Sequence, residues 1–197
     1  ARRERGSAES RLVWLLLLGT VPAALLGFLF EDFFESLFGE PGWVSVFLLA
    51  TAGLLALAER VGRKRRDVTD LAPRDALLIG LGQAAAIAPG ISRSGATISV
   101  GLLRGLRRQD AARYSFLLAT PIILGAGLFK MVDLVQVPDR FVYVPGVVAG
   151  FLTAAVVGYV CIWGLLRYLQ RGSLYVFSAY CALLGVTCLV VYWLRLV

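Results

Sequence analysis

The chain has 197 residues, 58% hydrophobic and only 17% charged, with a mean hydropathy of +0.76. That composition excludes an ordinary soluble domain and reads as an all-α integral membrane protein. The net charge of +7 does not argue for a nucleic-acid partner, because the arginines stand at the ends of apolar runs, where topology and anionic lipid headgroups account for them.

Residue 1 is Ala and the sole methionine is Met131, so an upstream portion is expected to have been lost or processed away. Arg2, Arg3, Glu4 and Arg5 are not followed by a short apolar core with a small-residue cleavage site, which argues against a signal peptide. Five apolar runs follow: Leu12 to Phe30, Trp43 to Ala58, Tyr114 to Met131, Tyr143 to Leu166 and Leu174 to Leu194. Each is long enough for one helical span or nearly so. Cys161, Cys181 and Cys188 lie within such runs without metal spacing and read as small core residues.

Between the second and third runs the pattern changes. Ala76 to Ala88 has 13 residues and Ala96 to Leu106 has 11, with the break Pro89-Gly90-Ile91-Ser92-Arg93-Ser94-Gly95 between them. At 1.5 Å per residue each arm reaches only about 15 to 20 Å, short of a bilayer. Charge counting chooses between a crossing and a return, since Lys and Arg accumulate on the cytoplasmic side of short loops. As a re-entrant hairpin, the segment puts sixteen Lys and Arg on one side (the N-terminal group through Arg11, residues 60–74, residues 104–113, Arg167 and Arg171). Only Lys130, Arg140 and Arg195 fall on the other. A full crossing would split the clusters at 60–74 and 104–113. The expectation is therefore a single membrane domain over residues 1–197, with the N-terminus inside, five spans and the C-terminus outside. Residues 75–106 form a re-entrant hairpin with its tip at 89–97, and Glu31, Asp32, Glu35 and Glu40 lie in an outer acidic loop.

Irregular backbone at membrane depth is tolerated only against protein or a wet cavity, so the break is expected to face a cavity. Pro89 should end the first arm, Gly90 and Gly95 allow positive φ and close approach, and Ser92 or Ser94 can cap the second arm. The helix N-terminus, the Arg93 fork and the hydroxyls of Ser92, Ser94 and Thr97 then compose an oxyanion or phosphate receptor. Packing is the alternative for the small residues, and Gly101-x-x-x-Gly105 and Gly146-x-x-x-Gly150 read that way. Packing does not account for Arg93, because a charge near mid-bilayer costs about 2.5 to 3.5 kcal/mol even on the permissive insertion scale.

The stretch from Gln83 to Thr97, with its Pro-Gly-x-Ser-Arg-Ser-x-x-Thr core, resembles the second signature of the undecaprenyl-diphosphate phosphatase family, the bacitracin-resistance proteins. Gly19 to Ala24 and Tyr114 to Pro121 resemble further family segments in the same order. The resemblance implies an inner-membrane enzyme built from two inverted repeats, each with a re-entrant hairpin, that hydrolyses undecaprenyl diphosphate and so recycles the lipid carrier for peptidoglycan. It implies catalytic roles for Ser92, Arg93 and Thr97: Arg93 holds the diphosphate, Ser92 contacts phosphate or acts as nucleophile, and Thr97 with Ser94 completes the cradle. Gln83, Gly90, Ser94 and Gly95 are the implied substrate-binding residues, and the site opens toward the outer face. The implied partners are a polyprenyl diphosphate lipid and membrane lipids, with a homodimer left open.

The first repeat's signature, an acidic pair spaced four apart and a serine-rich stretch with a histidine, is absent, and the chain contains no histidine. Phosphoanhydride hydrolysis needs a proton handler and often a divalent cation. A Mg²⁺ or Ca²⁺ ion is implied, with its ligands expected upstream, so the chain reads as a C-terminal portion inactive by itself. Glu31, Asp32 and Glu35 match no family position and read as a solvated face. A flippase or transporter using the same broken-helix anion site, or a non-catalytic scaffold, are the rival readings.

Overall fold

The computed structural model describes residues 2–136 and 142–196, apart from the side chains of residues 2–8, 31, 32, 35, 133–135, 195 and 196. Eight α-helices are present among the described residues: α1 (Arg2–Leu29), α2 (Glu31–Phe38), α3 (Pro41–Val61), α4 (Pro73–Ala85), α5 (Arg93–Leu103), α6 (Arg108–Gln136), α7 (Val144–Tyr168) and α8 (Tyr175–Leu196). Five contain segments long and apolar enough to cross a membrane: Glu9–Leu29, Pro41–Val61, Arg108–Val132, Val144–Tyr168 and Tyr175–Leu194. They match the five apolar runs, and the protein is an all-α, multi-pass membrane protein. The connection expected to be an acidic loop carries the two-turn helix α2. The side chains of Glu31, Asp32 and Glu35 fall outside the description, as do those of Arg2, Arg3, Arg5, Arg140 and Arg195.

Helices α4 and α5 lie side by side. Their outer ends meet at Asp75, whose carboxylate accepts from Arg104 Nε at 2.7 Å and from Arg66 Nη2 at 2.8 Å. Backbone N–H groups of Arg65 and Arg66 donate to Gly105 O, and Arg107 N donates to Arg66 O, all at 2.9 Å. Pro73 opens α4 at its first turn, where its missing N–H costs no helical bond. The helix ends at Ala85, three residues before the expected Ala88, because the chain tightens ahead of Pro89. Ala86, Ile87 and Ala88 donate three residues back, to Gln83, Ala84 and Ala85.

Helix α5 ends in a Schellman motif. Gly105 has φ +90°, its N–H donates to Leu102 O, and Leu106 N donates to Gly101 O. Gly105 is therefore a helix stop and not half of a packing pair, whereas Gly101 does pack, a Cβ there lying 3.0 Å from the Ala111 Cβ. Gly146 and Gly150, read as packing residues, do not pack among the described residues: nothing there lies within 4 Å of a Cβ built on either, because α7 has no buried residue. For the same reason Cys161, on α7, is exposed; Cys188 is half-buried and only Cys181 is a core residue.

Helix α3 packs along α8, and α1 along α4. The latter contact is backbone to backbone, since a Cβ on Gly80 would stand 2.2 Å from Gly19 O. The core lies around Leu15, Leu55, Leu71, Ile79, Leu102, Leu106, Leu118 and Tyr114, whose hydroxyl donates to Leu15 O at 2.8 Å. Among the described residues, several of the basic side chains counted on one side in the sequence are tied to neighbouring loops and helix ends. Arg11 donates to Thr69 O and Leu71 O. Glu59, at the end of α3, takes Lys64, Arg108 and the Leu174 N–H.

Candidate functional site

The site is built on the turn between α4 and α5. Gly90 has φ +93°, and a Cβ on it would lie 2.3 Å from Val44 O, so the turn seats directly on the backbone of α3. Thr51 of α3 holds it there: its Oγ1 accepts from Ser92 N at 3.2 Å and lies 3.4 Å from Gly90 O. Ser92 is the N-cap of α5, its Oγ accepting from Gly95 N at 3.1 Å, which places Arg93 at the first helical position. Gly95 is inside the helix without positive φ. Close approach is its reason, a Cβ there meeting Ser92 and Thr51 atoms at 3.0–3.1 Å.

Arg93 faces a cavity of about 650 Å³ walled by α1, the end of α4, and α6. The wall contains Thr20, Ala23, Ala24 and Phe28 from α1, Gln83 and Ile87 from the hairpin, and Pro121, Ile122, Ala126 and Phe129 from α6. The three segments that carried the family resemblance thus meet on one cavity. Gln83 is 2% exposed, and neither its Oε1 nor its Nε2 has a hydrogen-bond partner among the described residues. Among the described residues the Arg93 guanidinium also has no hydrogen bond or ion pair. Buried polar groups are nearly always bonded, so an orphaned amide and an unpaired cation on one wall mark a place where a ligand completes the bonding.

The other expected residues do not line the large cavity. Ser92, Ser94 and Gly95 border a separate cavity of about 230 Å³, otherwise apolar, toward Leu55, Leu165, Phe177 and Cys181. Ser94 also borders a small cavity of about 190 Å³ shared with Arg93, Ser115, Phe116 and Ala119. Thr97 is buried; its Oγ1 donates to Arg93 O at 2.8 Å and lies 2.6 Å from Ser115 Oγ. The expected single cradle is therefore divided. Arg93 shares one small cavity with Ser94, and Ser94 shares the other with Ser92, but no one cavity takes all three side chains. Ser115 was not among the expected site residues; the only sign of it in the sequence is its place in the Tyr114-to-Pro121 segment.

Among the described residues, no three His, Cys, Asp or Glu side chains come together as a metal set, and the large cavity's wall contains no carboxylate. With Arg93 beside it, that wall does not fit a divalent cation. At the opposite end of the hairpin, burial alone would raise the Asp75 carboxyl. Hydrogen bonds from the Ala72 N–H, Arg104 and Arg66 outweigh burial and hold the group below the ordinary carboxylate range.

The chain is similar to curated proteins over most of its length. A curated undecaprenyl-diphosphatase of Moorella thermoacetica is 43% identical over 189 residues, which is 96% of this chain and 71% of that protein. One of Rubrobacter xylanophilus is 48% identical over 179 residues, 90% of this chain and 65% of that protein. One of Methanothermobacter thermautotrophicus is 49% identical over 175 residues, 87% of this chain and 96% of that protein. The family model described as bacitracin resistance protein BacA matches residues 1–187, and the chain belongs to that family.

Proposed function

We propose that this protein acts in the hydrolysis of undecaprenyl diphosphate to undecaprenyl phosphate and inorganic phosphate, and that these residues form the phosphate-binding half of the active site. The observation that carries the reading is the pairing of an unpartnered Arg93 with a buried, unpartnered Gln83 on the wall of an otherwise apolar cavity. The names of the similar proteins point the same way. A guanidinium fork pairs bidentately with phosphate oxygens, and the Gln83 NH₂ supplies a further donor to the same head group. The small and apolar side chains of α1 and α6 suit a prenyl tail. In the reaction a water oxygen bonds to the terminal phosphorus as its bridging P–O bond breaks, and undecaprenyl phosphate leaves. Arg93 disperses the charge that develops on the phosphoryl oxygens.

Among the described residues the wall carries no His, Asp, Glu, Cys or Lys to act as a general acid or base, so in this reading the cavity binds and orients, and proton transfer belongs to groups outside it. A divalent cation, Mg²⁺ or Ca²⁺, likewise finds no carboxylate here, and no step is routed through one. Ser92 and Thr97 support Arg93 in this reading: Ser92 caps α5 and Thr97 bonds the Arg93 carbonyl. Ser94 bridges the two smaller cavities, while Gly90 and Gly95 allow the turn its close packing. The hairpin is read as re-entrant in the bacterial inner membrane and as half of an inverted repeat. Its basic base lies on the cytoplasmic side and its cavity opens outward; a homodimer is compatible with this arrangement.

The test is phosphate release from labelled undecaprenyl diphosphate by the protein in detergent. Arg93→Ala is expected to lower turnover by about 10²–10³-fold, the scale of removing one positioned charge-stabilising donor. Near-full turnover in that variant sinks the assignment, and lipid movement without phosphate release favours a flippase.

A further inference from the structure

We propose that Ser115 on α6 is a positioning residue of the anion site, acting on Arg93 through Thr97. This rests on the reading of Arg93 as the phosphate ligand and adds to it the element that aims Arg93. Thr97 Oγ1 lies 2.8 Å from Arg93 O, 3.3 Å from Ser94 O and 2.6 Å from Ser115 Oγ. Carbonyls cannot donate, so the assignment that uses these contacts has Thr97 donating into the first turn of α5 and Ser115 donating to Thr97. Ser115 and Thr97 are both buried, where a hydrogen bond is least open to competition from water.

The consequence is geometric. The first turn of α5 is held from one side by Thr51 on α3, through Ser92 N, and from the other by Ser115 on α6. A helix turn free to rotate carries its side chains around the axis at about 100° per residue, so a modest rotation would take Arg93 off the cavity wall. Ser115 also borders the small cavity beside Arg93 and Ser94, where its proton is already committed to Thr97 and its lone pairs remain. Its helix supplies one wall of the large cavity through Pro121, Ile122 and Phe129. The residue that aims the cation and the surface expected to meet the lipid tail thus lie on one helix, which links the position of Arg93 to that of the tail.

The experiment measures equilibrium binding of a water-soluble C15 prenyl diphosphate, and in parallel the C15 prenyl alcohol, to the full chain in lipid nanodiscs. Ser115→Ala is expected to raise the Kd for the diphosphate about tenfold while leaving the Kd for the alcohol within about twofold, the upper end of the scale for one neutral hydrogen bond. Thr97→Val breaks the same link from its other partner and is expected to do the same; it serves as the readout if Ser115→Ala folds poorly. Because the two act in series, the double variant is expected to be no weaker than about tenfold, whereas independent contributions would multiply to about a hundredfold. A multiplied loss, an equal loss for the alcohol, or an unchanged Kd in both single variants overturns the positioning role. Diphosphate binding by Arg93→Ala as tight as by the unsubstituted chain, or no binding by the latter, overturns the underlying site instead.

Discussion

The two ends of the α4–α5 hairpin treat their polar groups in opposite ways. At the base, the Asp75 carboxylate is shared by Arg66, Arg104 and the Ala72 N–H, and nearby Glu59 takes Lys64, Arg108 and the Leu174 N–H. At the tip, Arg93 has no bonded partner among the described residues, and Gln83 leaves both amide atoms unused. An unpaired buried polar group costs on the order of 1–3 kcal/mol, so folding alone would select against the Gln83 amide, while the half-buried Arg93 gains no bonded partner from folding. The contrast separates side chains that hold the fold from side chains that wait for a ligand.

The sharpest way to break that comparison is to remove the most heavily shared carboxylate at the base. Glu59 is 3% exposed, and its oxygens join the end of α3, the start of α6 and the turn into α8. Glu59→Ala leaves two cations and an N–H without their partner, and is expected to cost about 3–5 kcal/mol of stability, the scale of breaking a buried ion pair. Thermal unfolding in detergent measures it, with prenyl diphosphate binding by the folded fraction retained. A loss below about 0.5 kcal/mol would mean that the base is ordinary surface charge.

The opposite manipulation belongs at the tip. Gln83→Leu replaces an unsatisfied amide by a side chain of similar size that suits the Ala24, Ile87 and Ile122 surroundings. Stability is expected to stay level or rise by about 1 kcal/mol, while affinity for a prenyl diphosphate falls about tenfold. A destabilised Gln83→Leu would show that the amide has a folding role, and the distinction between the ends would narrow to Arg93 alone.

Legibility in the sequence follows the range of the interaction responsible. The spans were visible because hydropathy is a sum over local residues, and the Ser92 cap because it needs only the N–H three positions on. The stop of α4 at Ala85 was misplaced because the tightening propagates back from Pro89 through a turn that composition does not show. The division of Ser92 from Arg93 depends on which helices flank α5, and the Thr97–Ser115 link joins residues 18 apart through the packing of α5 on α6. Gly146-x-x-x-Gly150 has a packing pattern without a partner within reach among the described residues. A motif states what a helix can do, and the neighbours decide whether it does it.

The smallest expected effect concerns the pH response of the base. The Asp75 carboxyl is held below its ordinary value of about 3.9 because the hydrogen bonds to its charged form outweigh burial. A carboxyl with a lower pKa in the folded state binds fewer protons there than in the unfolded chain. Its contribution is therefore fully present above the unfolded value and is lost as pH falls through the folded one. Melting temperature should hold nearly level from pH 7 to about 4 with respect to this group and decline only below that. Arg66 and Arg104 are partly open to solvent, so salt should shrink the effect further. Asp75→Asn should lower stability at neutral pH and remove part of the acid decline. Melting curves that stay parallel between the two proteins from pH 7 to 3 would place the strength of the base in its backbone bonds, where Arg65 and Arg66 donate to Gly105, and not in the shared carboxylate.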